Sequence, residues 1–445
     1  MTRGARTGER RQPLIFYGWW VVAIAFVTLA ISISARTSFS LLFPAFLEEF
    51  GWTRSVTAAA FSIGFLASTA FLPVIGVLME RGGPRLVIPL GAVMVASGFV
   101  LATFITTPLG LYLTMGVLMI TGSLATSYIV HSMFMPAWFV RRRGLAIGIA
   151  FSGVGVGAIT LLPAMQWVID AYGWRTACFA MGALVLVVTV PLNALFQRSS
   201  PQEMGLEPDG GPPKGRKGKP AQPAPDPVVD AAWAAIDWTL ARAARTARFW
   251  WLALAFFCGL FAWYAIQTHQ TQYLLESGFN ASVAAQALGL VALFGVAGQI
   301  ALGWLSDRYG REVAWSLTQL GFALASLLLL ALEESPSLAL LYAMVACQGL
   351  LGYGLASLFG AVMTELFAGR QIGRIVATLS LLANLGAAVG VWFLGAIHDM
   401  TGSYALGFWV CAGLCLVSIV CIWQAAPRRV RLVAGQAARR AAAEG

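Results

Sequence analysis

The chain has 445 residues, of which 59% are hydrophobic and only 11% charged, with a formal net charge of +10. Soluble domains average about 25% charged residues, so this composition excludes an ordinary soluble domain. It argues equally against a nucleic-acid binder, because no basic face with interleaved aromatics exists outside the apolar runs. All six cysteines fall inside apolar runs without metal-ligand spacing, so neither disulfides nor a metal site are expected.

A bilayer core about 30 Å thick takes about 20 helical residues to cross. Apolar runs of that order lie at 17–42, 56–79, 86–106, 109–138, 144–168, 175–196, 249–275, 282–305, 313–332, 337–365, 373–397 and 403–424. The first is too long for a signal-peptide core and lacks a small-residue cleavage pattern, so it is expected to be retained. Late in that run, in SISARTSFS, stands Arg36, the one full charge deep inside an apolar run. An ionised group in hydrocarbon is costly and is kept mainly where it faces a protein interior or a watery cavity. With no acidic residue in mid-span, the missing anion is expected to arrive from outside.

The polar stretch 197–247 divides the runs six and six. Its Pro-, Gly- and Lys-rich first part reads as a disordered linker. Its second part, AAWAAIDWTLARAARTAR, reads as an amphipathic helix on the membrane surface, with Trp233, Ile236 and Leu240 at helical spacing and Arg242, Arg245 and Arg248 near headgroups. With the amino terminus in the cytoplasm, 26 of the 29 Lys and Arg lie on the cytoplasmic side, as the positive-inside rule requires. Both termini are therefore expected inside. Arg outnumbers Lys 26 to 3, which points to a GC-rich bacterium and hence its inner membrane.

The halves repeat each other. At an offset of 227, Gly51, Trp52, Ser55, Val56 and Ala58 meet Gly278, Phe279, Ser282, Val283 and Ala285. The same offset pairs Gly76, Leu78, Glu80, Arg81 and Gly83 with Gly303, Leu305, Asp307, Arg308 and Gly310. At 229, Arg141, Gly144, Gly157, Asp170 and Gly173 meet Arg370, Gly373, Gly386, Asp399 and Gly402. The expected architecture is an all-α membrane protein: twelve transmembrane helices in two pseudo-symmetric six-helix bundles, 1–196 and 248–445, around a central cavity.

This layout and the paired segments Gly76-Val-Leu-Met-Glu80-Arg81-Gly-Gly83 and Gly303-Trp-Leu-Ser-Asp307-Arg308-Tyr-Gly310 resemble the major facilitator superfamily and its gating loop motif. More narrowly, Tyr17-Gly18-Trp19-Trp20 and the stretch from Trp138 to Gly153 resemble the monocarboxylate porter family. Gly205-Leu-Glu-Pro-Asp209-Gly210 is similar to a stretch after span six in bacterial oxalate/formate-type members. There are departures. The family's acid before the first-span glycine is Tyr17 here, and its acid–arginine pair in span eight falls on Gly295 and Gln299. That leaves Arg36 as the anchor that the resemblance implies for a carboxylate; a planar guanidinium grips one bidentately.

The resemblance also places Tyr128, Tyr353, Gln348 and Asn384 in spans that line the cavity, and His269 near it. Histidine is the natural proton carrier near neutral pH, so His269 and His131 are the expected coupling groups. Gly153-Val-Gly155-Val-Gly157 lies inside a span with no preceding strand, so it reads as close helix packing and not as a dinucleotide loop. No P-loop or catalytic arrangement occurs outside the spans, so no cofactor and no enzymatic activity are expected. The expected function is secondary transport, by a monomer, of a small organic anion, a monocarboxylate with a proton. Alternatives are anion exchange of the oxalate/formate type, efflux of a hydrophobic compound, and a non-transporting membrane sensor.

Overall fold

The computed structural model describes residues 16–139, 143–208, 228–367, 372–433, 436 and 440. Among them, eleven helical segments are long and apolar enough to cross a membrane. One of these, Leu145–Phe196, runs for 52 residues, about 78 Å of helix, far more than one crossing. Gly173 breaks it at φ 83° and ψ 162°, leaving spans five (145–172) and six (174–196). Twelve spans result. Span one is Tyr17–Phe50, two Arg54–Gly82, three Pro84–Ala102, four Pro108–Met135, seven Ala247–Glu276 and eight Ala281–Tyr309. Nine is Arg311–Glu334, ten Leu338–Met363, eleven Ile372–Thr401 and twelve Ala405–Arg429. Span one outruns its expected end at 42, because the helix continues through Pro44 until Gly51 closes it in a left-handed turn.

The repeat is visible in the turns. Six of the seven glycines with positive φ form three repeat pairs: Gly51 (63°) with Gly278 (89°), Gly83 (61°) with Gly310 (118°), and Gly173 (83°) with Gly402 (75°). Only glycine adopts these angles freely, so the same turns recur at the same places in both halves. Within each half the repeat also sets the helix packing. Side chains at Gly153 and Gly157 would collide with the Phe26 and Ala30 carbonyls of span one, and one at Gly386 with the Phe257 carbonyl of span seven. Gly155 faces the other half, at Leu293 and Val296 of span eight. The triple-glycine run is thus a three-way helix contact.

An even number of spans puts Phe16, the described parts of 197–247 and the residues after span twelve up to Val433 on one face. The Tyr17 hydroxyl donates to the Phe196 carbonyl there (2.6 Å). Phe16 and Tyr17 pack on Trp138, and Trp19 on Phe139, so the two family-like stretches meet in space.

The 197–247 segment departs from expectation. Residues 209–227 lie outside the described residues. The surface helix is instead two short turns, Ala231–Ala234 and Leu240–Ala244. The Asp230 and Thr239 side chains each accept a backbone N–H at the start of a turn, and two such caps nine residues apart prevent one continuous helix. Trp233 points into the protein. Its indole donates to the Leu366 carbonyl (2.7 Å), its ring lies 4.5 Å from Trp238, and the Arg248 guanidinium covers it at 4.3 Å. Val229 N–H donates to the Val430 carbonyl (2.9 Å), so this end of the linker is fastened to the second half.

Gly386→Ala is expected to force spans seven and eleven apart at a cost of about 1–3 kcal/mol. Its melting temperature in detergent should fall, whereas Gly413→Ala, with nothing within 4 Å, should melt like the parent. Equal melting of both variants would contradict the packing described.

Candidate functional site

Arg36 lies in the last turn of the helix Tyr17–Thr37, where the carbonyl end of the helix dipole favours a cation. Ser38 interrupts the helix before it resumes at Phe39. Two further spans are irregular at the tyrosines picked out in the sequence. Span four is wound as a π-helix over Tyr112–Ile120, opens at Thr126 and Ser127, and restarts at Tyr128. Span ten is π-wound over Cys347–Leu351 and 3₁₀ over Gly352–Gly354, around Tyr353. Such interruptions free backbone groups and often mark functional sites.

The three interruptions converge. Arg36, Tyr128, Tyr264 and Tyr353 lie within electrostatic reach of one another. The Arg36 guanidinium carbon stands 5.8 Å from the Tyr264 ring centre. Gln267 donates to the Tyr353 hydroxyl (3.4 Å) and accepts from the Trp263 indole (3.2 Å). Arg36, Thr37, Phe39, Ser40 and Phe61 of the first half and Gln267 and Thr268 of the second line a cavity of about 10 Å³, room for about one water. Arg36 is half-buried there and faces the opposite half. Among the described residues it has no carboxylate partner and no hydrogen-bond acceptor.

Other expected site residues stand elsewhere. His269 is fully buried between spans, with Nε2 2.9 Å from the Val391 carbonyl and Nδ1 3.3 Å from the Tyr404 hydroxyl. Both ring nitrogens are engaged, and the ring lies edge-on to Phe43. His131 is also fully buried; Nδ1 meets the Ser127 carbonyl (2.9 Å), and Nε2 has no partner among the described residues. Asn384 donates to Thr69 (2.9 Å), tying span eleven to span two. Gln348 is buried in the π-wound segment, with its oxygen unpartnered among the described residues. None of these four lines the Arg36 cavity, and neither do Tyr128 and Tyr353, which stand behind its lining. The sequence reading missed Trp263, Tyr264 and Gln267. Their signal is the spacing of three and four residues that puts Gln267 on the same helix face as both rings.

In the gating loops, Glu80 and Arg81 near Gly76 are exposed. In the second copy, after Gly303, Asp307 pairs with Arg311 (2.7 Å), which also grips Glu365 beyond span ten (2.8 Å). Arg308 lies over Trp304 (5.3 Å). Arg141, Arg142, Asp209, Gly210 and Arg370 lie outside the described residues.

The halves are latched at the face opposite Phe16 and the end of span twelve. Arg54, starting span two, pairs with Glu276, ending span seven. Asp399 of span eleven accepts from the backbone N–H groups of Arg54 (2.9 Å) and Ser55 (2.8 Å), an anion at a helix start. His398 Nε2 lies 3.5 Å from Glu276. A separate cavity of about 470 Å³ adjoins the latch, lined in part by Glu48, Trp52, Arg54 and Gln272. It shares no lining residue with the Arg36 cavity.

The family model described as Major Facilitator Superfamily matches residues 24–357 and 296–444. The chain belongs to the major facilitator superfamily. Monocarboxylate transporter 13 of Bos taurus is 28% identical over 402 residues, 90% of this chain and 87% of that protein. Monocarboxylate transporter 11 of Mus musculus is 28% identical over 406 residues, 90% of this chain and 85% of that protein. A bacterial homolog of the human lysosomal transporter Spinster, in an inward-facing and unoccupied conformation, shares the fold: TM-score 0.61, 17% identity, 98% of this chain and 99% of that one. A nucleoside transporter does so with a TM-score of 0.68 at 11% identity, over 92% of this chain and all of the other. The protein is thus a multi-pass membrane transporter of this superfamily, whose members among its relatives are carriers and not enzymes.

His269→Ala leaves the Val391 carbonyl and Tyr404 hydroxyl without a partner, at about 1–3 kcal/mol. The expected result is a lowered melting temperature with carboxylate affinity unchanged in isothermal titration. Lost affinity in a protein that melts normally would put His269 back in the site.

Proposed function

We propose that this transporter carries a small monocarboxylate by alternating access, with the carboxylate on the Arg36 guanidinium. The observation that carries this reading is the lack of any anionic partner for Arg36 among the described residues, in a cavity lined by both halves. Tyr128, Tyr353 and Gln267 supply neutral donors nearby. The names of the relatives support the same substrate class. Charge asymmetry supports both termini in the cytoplasm, and the arginine-rich composition supports a bacterial inner membrane. The latch then faces outward, and this conformation is closed to the outside.

Binding an anion neutralises the cavity, and the halves then close over the site from the inner face while the latch releases. The proton is assigned to the latch, since His269 and His131 stand apart from the cavity. Protonating Glu276 or Asp399 removes the charge that holds Arg54 and the start of span two. Anion exchange is the second reading. It is favoured by Arg36 being the one ionised group lining the cavity, so that a carboxylate suffices to neutralise it.

In proteoliposomes, Arg36→Ala is expected to lower monocarboxylate uptake by about 30-fold or more, the usual loss when one partner of a buried charged pair is removed, while protein still inserts. Undiminished uptake would end the assignment. Counterflow at clamped pH separates the two readings. A symporter slows when the proton gradient is collapsed, and Glu276→Gln removes that dependence. An exchanger runs equally fast without the gradient and requires internal substrate.

A further inference from the structure

Phe39 and Phe61 line the Arg36 cavity, and further rings stand behind them. Tyr264 is their hub: Arg36 lies over it at 5.8 Å, Phe65 meets it edge-on at 4.4 Å, and Phe61 and Trp263 stand 6.3 and 6.0 Å away. Trp263 continues the ring cluster to Tyr353, with ring centres 4.8 Å apart. Span eight yields to this cluster. A β-carbon at Gly295 would stand 2.5 Å from Cγ and 2.6 Å from Cδ1 of Tyr353, so the tyrosine ring fills the space that a side chain there would take. The cavity lining offers one cation. The next charged cluster, at Arg54, is already paired with Glu276. A second carboxylate on a ligand would therefore face rings without a counter-charge, which is costly. An aromatic tail would instead gain apolar burial and offset or edge-on ring contacts.

We infer that this carrier selects monocarboxylates with an aromatic tail over formate-, acetate- or oxalate-sized acids, and that Tyr353, seated on Gly295 and bonded to the cavity residue Gln267, is the specificity-determining ring behind the lining. The inference rests on the reading of Arg36 as carboxylate anchor. In the conformation described, the cavity holds about one water, so the ring of a bound ligand displaces or stacks on the aromatic cluster.

The test is titration of the full-length protein in nanodiscs with benzoate, acetate, oxalate and benzamide, repeated on Arg36→Ala, Tyr353→Ala and Tyr353→Phe. Benzoate should bind about tenfold or more tighter than acetate and oxalate, a difference typical of filling an apolar pocket. Benzamide, lacking the charge, should bind weakly. Tyr353→Ala should erase the preference by weakening benzoate alone, and Tyr353→Phe should keep it. If acetate or oxalate matches benzoate while Arg36→Ala still abolishes binding, the aromatic selectivity is overturned and the carboxylate anchor stands. If benzamide matches benzoate and Arg36→Ala binds both, the anchor itself falls. Should Tyr353→Ala not fold, the ligand series on the unaltered protein decides the selectivity.

Discussion

A guanidinium in mid-membrane with no carboxylate beside it, among the described residues, is the constraint around which the rest is arranged. The cost of such a charge is several kcal/mol. A cation–π contact such as that with Tyr264 returns about 0.5–2 kcal/mol, and the helix-end carbonyls around Ser38 return less than about 1 kcal/mol more. The deficit that remains is what an incoming anion removes. The same Arg36 that burdens the empty fold therefore supplies the binding energy for a carboxylate. Rings rather than acids around it keep that energy for the ligand.

The internal repeat explains why the donors meet at one place. Tyr128 and Tyr353 follow interruptions in spans four and ten, one in each half. Both therefore lie within electrostatic reach of the same cation, one from each half. The halves touch through rings, Phe61 and Phe65 on Tyr264 and Phe43 on His269, and through small groups and hydroxyls: Gly155 on span eight, Ser62 on the Ala388 carbonyl (2.7 Å), Ser40 on the Thr268 carbonyl (3.0 Å). The small-group contacts slide more readily than the interlocked rings. The charged latch of Arg54, Glu276 and Asp399 is the stronger tie, and it sits at one face only.

Much of this was readable from residues. The twelve spans follow from apolar length, with the break at Gly173 set by a glycine that the repeat pairs with Gly402. Arg36 stood out because no other full charge lies deep in an apolar run. The histidines show where such reading stops. His269 is two residues from Gln267, about 200° around the helix, so one faces the cavity and the other faces spans eleven and twelve. Nothing in the residue types says which. The linker misled for a different reason: its apolar spacing was helical, but the caps at Asp230 and Thr239 act locally and override it. Gly295 reads in the sequence as a missing acid. In three dimensions it is the room that Tyr353 occupies.

The most direct measurement is the position of a bound carboxylate in an electron cryo-microscopy structure of the protein with benzoate. The account predicts density for the carboxylate within hydrogen-bond reach of the Arg36 guanidinium, with its ring against Tyr264 and Tyr353. Carboxylate density elsewhere, with Arg36 turned to lipid or bound to main-chain oxygens, would contradict it.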